Sequence, residues 1–304
     1  MKIWCHRYAL KSRDGKRPAR VGALLKIEWV MNQVGYSDLH PWPEFGEPEL
    51  DAHLESVAKL QFTPLADISV EFNYLDRDFR LRNRNAFAGL ILPRAHRLSF
   101  DWRDLDLPAL SALQRQGFTH LKVKMGRDLK AESEFLVNMA YATTLMWRID
   151  MNGRLSADEF TAWWQALDPA VRKRVDFVED PIGEGRLKIG GPWARDWTDV
   201  SPALIRVLKP VREKLTELSS FNRVIFTHGL DHSFGQACAL WTASRYYADH
   251  PKRLEVCGLA SPGIYEADEF SRVWDCPGPR LKPPPGLGFG FDDVLGSVKW
   301  EQIL

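Results

Sequence analysis

The spacing of hydrophobic and polar residues changes near residue 95 of the chain. Before that point, residues 2–10 and 22–30 alternate as half-buried strands do, and residues 47–62 place three leucines and a valine at helical spacing. A loop rich in proline, glycine and aromatic residues, GYSDLHPWPEFGE, precedes this helix. The pattern predicts a small α+β unit over residues 1–95.

From residue 96, short apolar runs alternate with helical stretches. Eight strands are predicted in about 160 residues, which favours a (β/α)8-type barrel smaller than the usual ~250 residues. The connections after the fourth and fifth strands are short, so the barrel is expected to be shortened around its fifth unit. The predicted strands are 97–100, 120–125, 147–151, 175–179, 188–195, 204–209, 223–227 and 254–259, and the predicted helices are 107–116, 129–144, 157–167, 211–219 and 234–248.

The fold class that follows is α/β, with the barrel over residues 96–262 and an N-terminal α+β capping domain over residues 1–95. Residues 263–304 are rich in proline and glycine and are expected to return to the capping domain as an extended segment. An open doubly wound sheet is the alternative fold. The sequence contains neither a G-x-G-x-x-G motif nor a P-loop to give such a sheet a nucleotide site.

Composition limits the classes of partner. The net charge of +1 and the hydrophobic fraction of 45% give no general attraction to nucleic acid or anionic lipid. The four cysteines form no C-x-x-C pair, and no apolar run approaches the ~20 residues of a membrane span. We therefore expect a cytoplasmic protein that binds neither nucleic acid nor membranes. The sequence does not indicate its oligomeric state.

Two lysines stand one residue apart in the second barrel strand. Side chains alternate along a strand, so Lys122 and Lys124 share one face while Leu121 and Val123 share the other. An isolated K-x-K pair is ordinarily a solvated surface. Charged residues at the ends of later strands favour a functional site here, because a barrel brings the carboxyl ends of its strands to one edge.

These later charged residues are mostly carboxylates. Asp150 ends the third strand, Glu179 ends the fourth and Asp196 follows the fifth, while Lys209 ends the sixth. Carboxylates without a nearby His or Cys suit a hard cation, Mg²⁺ or Mn²⁺. A bound cation and partial burial both lower the pKa of a neighbouring lysine, which can then act as a base. The pattern indicates proton removal next to a substrate carboxylate.

Four motifs resemble the enolase superfamily. K-V-K, D-M-N, F-V-E-D-P and V-L-K-P follow the order of its muconate-cycloisomerase-like branch, which has lysines on the second and sixth strands. This branch includes o-succinylbenzoate synthases, dipeptide epimerases and N-acylamino-acid racemases. GYSDLHPWPEFGE, VIFTHGLDHSFGQACAL and GLGFGFD are similar to segments of o-succinylbenzoate synthases. The resemblance covers almost the whole chain.

The resemblance implies separate roles for the three lysines. Lys124 is expected to remove the α-proton, and Lys122 to tune Lys124 and approach the substrate carboxylate. Lys209 is expected on the opposite side of the substrate, where its charge stabilises the enediolate. The reaction implied is dehydration of 2-succinyl-6-hydroxy-2,4-cyclohexadiene-1-carboxylate to o-succinylbenzoate, in menaquinone biosynthesis, through a metal-stabilised enediolate.

The resemblance also implies the metal ligands. Asp150 and Glu179 are expected to bind the metal ion. Asn152 is expected to contact the lysines and support them without binding the metal ion itself. The third ligand departs from the family pattern, in which an Asp-Glu pair stands about twenty residues before the sixth-strand lysine. Asp196 is our prediction for this ligand, although it lies thirteen residues before Lys209, and Asp199 is the rival.

The rest of the substrate is expected near mobile loops. Thr227, His228 and Gly229 are predicted to form the wall around the succinyl arm. The cations of the first loop are candidates to attract its carboxylate, and these are Lys16, Arg17 and Arg20.

Two other functions stay open. The first is an N-acylamino-acid racemase or dipeptide epimerase of the same superfamily. Such epimerases commonly carry an aspartate motif on the eighth strand, whereas the corresponding CGLASPG contains no acid. The second is a barrel that binds a ligand without turnover, an alternative suggested by the shortened fifth unit.

Overall fold

The computed structural model describes residues 1–30, 32–216, 218–259 and 263–304 and gives only the backbone for Asp199 and Val200. Strands and helices are numbered below in chain order. A four-stranded antiparallel sheet at the N-terminus is followed by a curled parallel sheet of seven strands. Every described helix is too short or too polar to cross a lipid bilayer.

The N-terminal sheet contains strands from both ends of the chain. Its order is β13-β1-β2-β3, because the C-terminal strand pairs with β1 through Trp4 and Gln302. The apolar side chains Ile3 and Cys5 of β1 are buried, as the alternating pattern predicts. The strands are Lys2–Leu10 (β1), Arg20–Glu28 (β2), Val34–Leu39 (β3) and Glu301–Gln302 (β13).

Two elements of this unit were not predicted as regular structure. Strand β3 covers the start of a segment predicted as an irregular loop, and α2 was missed. For β3 the cause is an inward-facing polar residue, Ser37, which accepts a hydrogen bond from Ser69 at 3.0 Å. Helix α2 also buries polar Ser69 and Asn73, but it carries Leu65, Ile68 and Phe72 at helical spacing, so the sequence does contain the pattern of an amphipathic helix there. The helices are Leu50–Ala58 (α1) and Pro64–Leu81 (α2).

The seven parallel strands form a barrel that the eighth strand closes with two isolated bridges. Cys257 pairs with Ala95 and Gly258 pairs with Thr227, so the segment joins the first strand to the last. The predicted barrel class is confirmed, but the strand predicted over 188–195 is confined to its last three residues. The strands are Arg97–Ser99 (β4), His120–Lys124 (β5), Met146–Asp150 (β6), Val175–Glu179 (β7), Trp193–Arg195 (β9), Ile205–Leu208 (β11) and Arg223–Phe226 (β12).

The shortening around the fifth unit is present in the structure. Among the described residues, no helix lies between β9 and β11, and a two-stranded parallel ribbon of Glu184–Arg186 (β8) and Asp199–Ser201 (β10) lies beside the barrel instead. The helix predicted over 211–219 is absent from its described part, which holds turns and the start of a 3-10 helix, Leu218–Ser220. Residue 217 lies outside the described residues.

The remaining helices cover the barrel. The capping box predicted at Ser156 and Glu159 is formed, with each side chain bonded to the other residue's backbone. The helices are Leu107–Arg115 (α3), Leu129–Ala142 (α4), Ala157–Ala166 (α5), Pro169–Arg172 (α6), Ser233–Asp249 (α7), Glu269–Val273 (α8) and Asp292–Ser297 (α9).

The faces of β5 are divided as its sequence predicts. Leu121 and Val123 are fully buried among apolar side chains of the surrounding helices, including Leu136 and Phe160. Burying an aliphatic side chain of this size contributes about 1.5–3 kcal/mol each. This packing fixes the rotation of β5 and directs Lys122 and Lys124 away from the helices.

Candidate active site

A cavity of about 570 Å³ lies between the N-terminal unit and the carboxyl ends of the barrel strands. Nine of the ten predicted site residues line it. Gly229 is the exception and lies behind the wall, where an added Cβ would be 3.4 Å from Trp42. The nine are Lys122, Lys124, Asp150, Asn152, Glu179, Asp196, Lys209, Thr227 and His228.

The base of the cavity is set by strand register. Lys124 pairs with Asp150 across β5 and β6, and Asp150 pairs with Glu179 across β6 and β7. Lys122 Nζ lies 2.5 Å from Glu179 Oε1 and 3.0 Å from Asp150 Oδ2. Lys124 Nζ donates to Asp150 Oδ2 at 2.8 Å and to Asn152 Oδ1 at 2.9 Å. Three parallel strands thus bring two lysine side chains and two carboxyl groups to one point.

The surroundings shift the pKa values of the buried lysine and of the two carboxyl groups in different ways. Burial works against the charged form of Lys122, but Asp150 and Glu179 outweigh it and raise the pKa of the lysine. Burial also works against ionised Asp150, yet Lys122 and Lys124 lower the pKa of this carboxyl. Burial raises the pKa of Glu179, whose Oε2 has no hydrogen-bond partner among the described residues. One oxygen of the buried Glu179 carboxylate is thus left for a further positive group.

The third predicted ligand approaches from the shortened unit. Oxygens of Glu179, Asp180 and Asp196 lie within 4.8 Å of one another, and these three residues could hold a metal ion. Asp196 also contacts Lys209 Nζ. The rival side chain, that of Asp199, lies outside what the structure describes. Asp150 does not belong to this group of three, and its Oδ2 contacts both lysines of β5.

The donor set fits a hard divalent cation. All the candidate ligand atoms are carboxylate oxygens, and the unpartnered Oε2 of buried Glu179 is a position that a cation would satisfy. Asp180 was not predicted as a site residue, although it follows Glu179 directly in F-V-E-D-P. Its proximity to Asp196 follows from the register of β7 against β9, in which Glu179 pairs with Ala194, and no local sequence pattern specifies this register.

The upper wall of the cavity is aromatic and cationic. Arg20 lines it, with its guanidinium 4.9 Å from the Trp42 ring centroid, and pairs with Glu44. Arg17 stands behind the wall, 3.9 Å from the Phe100 centroid. The third candidate of the first loop, Lys16, is exposed and does not line the cavity.

Other residues that line the cavity were not predicted from the sequence. Trp42 comes from the loop that was compared with the capping loop of o-succinylbenzoate synthases, and this resemblance was the available signal. Arg206 and Arg212 flank Lys209 and also line the cavity. The sequence does not mark Arg206 as a site residue. An arginine in a short strand lines a cavity only if a loop from elsewhere in the chain covers that end of the strand.

Comparison with known proteins supports this picture. The family model for the N-terminal domain of O-succinylbenzoate synthase matches residues 3–79. A curated o-succinylbenzoate synthase from Bdellovibrio bacteriovorus is 29% identical over 306 residues, covering 94% of this chain and 92% of the relative.

Solved structures share the fold at lower sequence identity. A mandelate racemase/muconate lactonizing protein from Herpetosiphon aurantiacus has a TM-score of 0.75 at 13% identity, covering 95% of this chain and 96% of that one. A dipeptide epimerase from Cytophaga hutchinsonii, complexed with Mg and the dipeptide D-Ala-L-Val, has a TM-score of 0.71 at 16% identity, covering 100% and 98%. Over nearly its whole length the chain is therefore similar to o-succinylbenzoate synthase, a lyase, and it shares the capped barrel fold of enolase-superfamily enzymes.

Proposed function

We propose that the protein dehydrates 2-succinyl-6-hydroxy-2,4-cyclohexadiene-1-carboxylate to o-succinylbenzoate, as a step of menaquinone biosynthesis. The observation that carries the proposal is the lysine–carboxylate cavity, found in a chain that is similar over 94% of its length to an o-succinylbenzoate synthase. The relative suggests the substrate, and the cavity suggests how the proton is moved.

Lys124 is the proposed base and acid. Its Nζ lies at the cavity surface with 27% of the side chain exposed, so it is more accessible than Lys122, of which 10% is exposed. The neutral amine takes the proton from C1 of the substrate. The resulting ammonium then protonates the hydroxyl leaving C6, so that water departs and the ring becomes aromatic. One group can serve both steps when the proton and the hydroxyl lie on one face.

Lys122 and Lys209 act as charges rather than as proton carriers in this proposal. Lys122 is pinned between Asp150 and Glu179, and its raised pKa keeps it protonated beside the substrate carboxylate. Lys209 reaches the cavity from β11, where its ammonium contacts Asp196. Positive groups fixed where negative charge develops lower the barrier without reorganising.

Mg²⁺, or Mn²⁺ in its place, is the proposed cofactor. Asp150, Glu179 and Asp196 are the residues proposed to hold it, and Asp180 stands beside them. When bound, the cation would supply positive charge that stabilises the substrate carboxylate as the neighbouring carbon loses its proton. Asn152, which accepts a hydrogen bond from Lys124 at 2.9 Å, is proposed to orient the amine.

The proposal for the succinyl arm rests on the upper cavity. Thr227 and His228 line the side reached from β12, and Arg20 lines the mouth. Thr227 Oγ1 is buried without a hydrogen-bond partner among the described residues, so it is available to a polar substrate atom. Gly229 would act only indirectly, by letting Trp42 approach the loop that follows β12.

A direct assay tests the reaction. Purified protein with Mg²⁺ should consume the cyclohexadiene substrate, seen as loss of diene absorbance, and release o-succinylbenzoate, identified by mass spectrometry. Treatment with EDTA should stop turnover and added Mg²⁺ should restore it. Persistence of the diene, with the metal bound and the protein folded, would refute the proposal.

Racemisation of an N-acylamino acid or dipeptide is the second candidate. It is favoured by one observation: Lys124 and Lys209 reach the same cavity from β5 and β11, as exchange of one α-proton between two bases requires. The assay is deuterium incorporation from solvent into N-succinyl amino acids and dipeptides. Exchange at the α-carbon without turnover of the diene would make this the function.

A further inference from the structure

The loop that carries Asp196 lacks the support that a barrel helix would give it. Among the described residues, β9 ends at Arg195 and β11 begins at Ile205 with no helix between them. A metal ligand must nevertheless be held within a fraction of an ångström to bind well. Contacts from neighbouring elements have to fix this loop.

Asp180 holds the loop from one side. Its Oδ1 accepts hydrogen bonds from Asp196 N at 3.0 Å and from Thr198 Oγ1 at 2.7 Å. Its Oδ2 accepts a longer bond from Trp197 N at 3.4 Å. Asp180 is fully buried, so these bonds form away from competing water. Both oxygens are thereby directed at the loop, which makes Asp180 a clamp on Asp196 rather than a free ligand.

Arg206 holds the loop from the other side. Its Nη1 contacts the carbonyl oxygens of Arg195, at 2.9 Å, and of Asp196. Its Nη2 pairs with Glu213. A guanidinium can contact several acceptors at once because its donors form a rigid planar fork. The amide N–H of Asp196 is thus held by Asp180 and its carbonyl by Arg206.

The ion pair of Arg206 and Glu213 also contacts Lys209, the lysine that pairs with Asp196. Glu213 Oε1 accepts a hydrogen bond from Lys209 N at 3.0 Å, while its Oε2 pairs with Arg206. Lys209 Nζ in turn contacts Asp196. Arg206 therefore lies at the centre of a group of contacts that fixes both a proposed ligand and a proposed catalytic cation.

We propose that Arg206 and Asp180 are positioning residues that replace the missing fifth helix and hold Asp196 for cation binding. The inference rests on the proposed function, because it assigns Asp196 to the cation site. It identifies Arg206 as a specific determinant of metal affinity, although Arg206 contributes no ligand atom.

The test is Mn²⁺ affinity, measured by electron paramagnetic resonance on the purified protein without substrate. Arg206→Met should weaken Mn²⁺ binding about tenfold, the lower end of the range found when residues that orient metal ligands are replaced. Arg206→Lys should cause a smaller loss, since it keeps a charge for Glu213 but lacks the fork. The loss of activity relative to wild type should be smaller at saturating Mn²⁺ than at low Mn²⁺.

Arg223→Met is the matched control. Arg223 is a partly buried arginine on the neighbouring strand β12, paired with Glu255 and Asp176 at the far end of the barrel from the cavity. It should lower stability without changing Mn²⁺ affinity. Thermal unfolding of each variant shows whether the Mn²⁺ measurements were made on folded protein, and Arg206→Lys carries the test should Arg206→Met not fold.

A double-mutant cycle separates the inference from the proposed function. Asp196→Asn should weaken Mn²⁺ binding, and adding Arg206→Met should then cost little more, because Arg206 acts through Asp196. Wild-type affinity in both Arg206 variants would overturn the inference while leaving the metal site standing. Absence of Mn²⁺ binding by wild-type protein would overturn both.

Discussion

The two lysines of β5 differ in their surroundings although they share one face of the strand. Lys122 is buried and contacts both Asp150 and Glu179, whereas Lys124 contacts Asp150 and Asn152 at the cavity surface. Alternation along the strand predicts the shared face but not this division. The division arises from the register of three parallel strands, which sets how far along β6 and β7 each carboxylate lies.

Replacing Lys122 should therefore reduce stability. Lys122→Met leaves Asp150 and Glu179 buried with less positive charge, and breaking a buried ion pair costs roughly 3–5 kcal/mol. Lys124→Met should cost much less, because that side chain is nearer solvent. Urea unfolding in EDTA measures both changes, and Mg²⁺ should offset part of the loss in Lys122→Met. Equal losses in the two variants would contradict this account.

At the scale of elements, the N-terminal unit meets the barrel through buried acids. Asp38 of β3 accepts a hydrogen bond from Tyr8 at 2.6 Å. Asp231, in the loop before α7, lies nearby, since a Cβ on Gly235 would be 2.4 Å from Asp38 Oδ2 and 2.7 Å from Asp231 Oδ2. Burial and the charge of Asp231 raise the pKa of Asp38 well above 3.8. Asp38 therefore binds its proton more strongly in the folded protein than in the unfolded chain.

This pKa shift predicts a dependence of stability on pH. The folded protein holds a proton that the unfolded chain loses above its ordinary pKa of 3.8, so stability falls as pH rises from there toward the raised value. Asp38→Asn cannot titrate and keeps an acceptor for Tyr8. Relative to wild type, its unfolding free energy should improve from pH 5 to pH 8. A constant difference across this range would exclude the buried proton.

Elements were predictable where one face was apolar and the other polar. The strands from β4 to β7 and helices α3, α4 and α5 follow their patterns to within two residues at each end. Strand β3 was not predicted because Ser37 faces Ser69 and Asn73 inside, whereas α2 was missed although Leu65, Ile68 and Phe72 stand at helical spacing. The path of residues 196–204 was also unpredictable, since it depends on Asp180 and Arg206 from other strands.

At the scale of the whole molecule, the cavity lies between two units that must stay docked. Arg212, which follows β11, donates to His40 O at 2.8 Å, pairs with Glu47 and lies 4.0 Å from the Trp42 ring centroid. The sequence resemblance predicts a capping loop here but not the contacts of Arg212 with it, which together form a clasp between the two units. The domain limits at residues 95 and 262 remain predictions.

Breaking this clasp should affect substrate binding more than chemistry. Arg212→Met removes the bonds that fix the capping loop, so KM should rise several-fold while kcat changes less, because Lys124 and its partners are untouched. Steady-state kinetics with the diene substrate measures both constants. Lys214→Met is a control on the same segment, since Lys214 pairs with Asp67 and Glu71 at the exposed surface. An equal effect of both variants would contradict the role of the clasp.

The central claim is that Lys124 carries the proton, and single-turnover kinetics of Lys124→Ala test it most directly. Exposed Lys130 on α4 provides the control, Lys130→Ala, which should react like wild type. We predict that Lys124→Ala binds Mn²⁺ and unfolds like wild type but loses at least about 10²-fold of the diene-consumption rate, the lower range for removing a general acid–base. A Lys124→Ala rate within tenfold of wild type would contradict the claim.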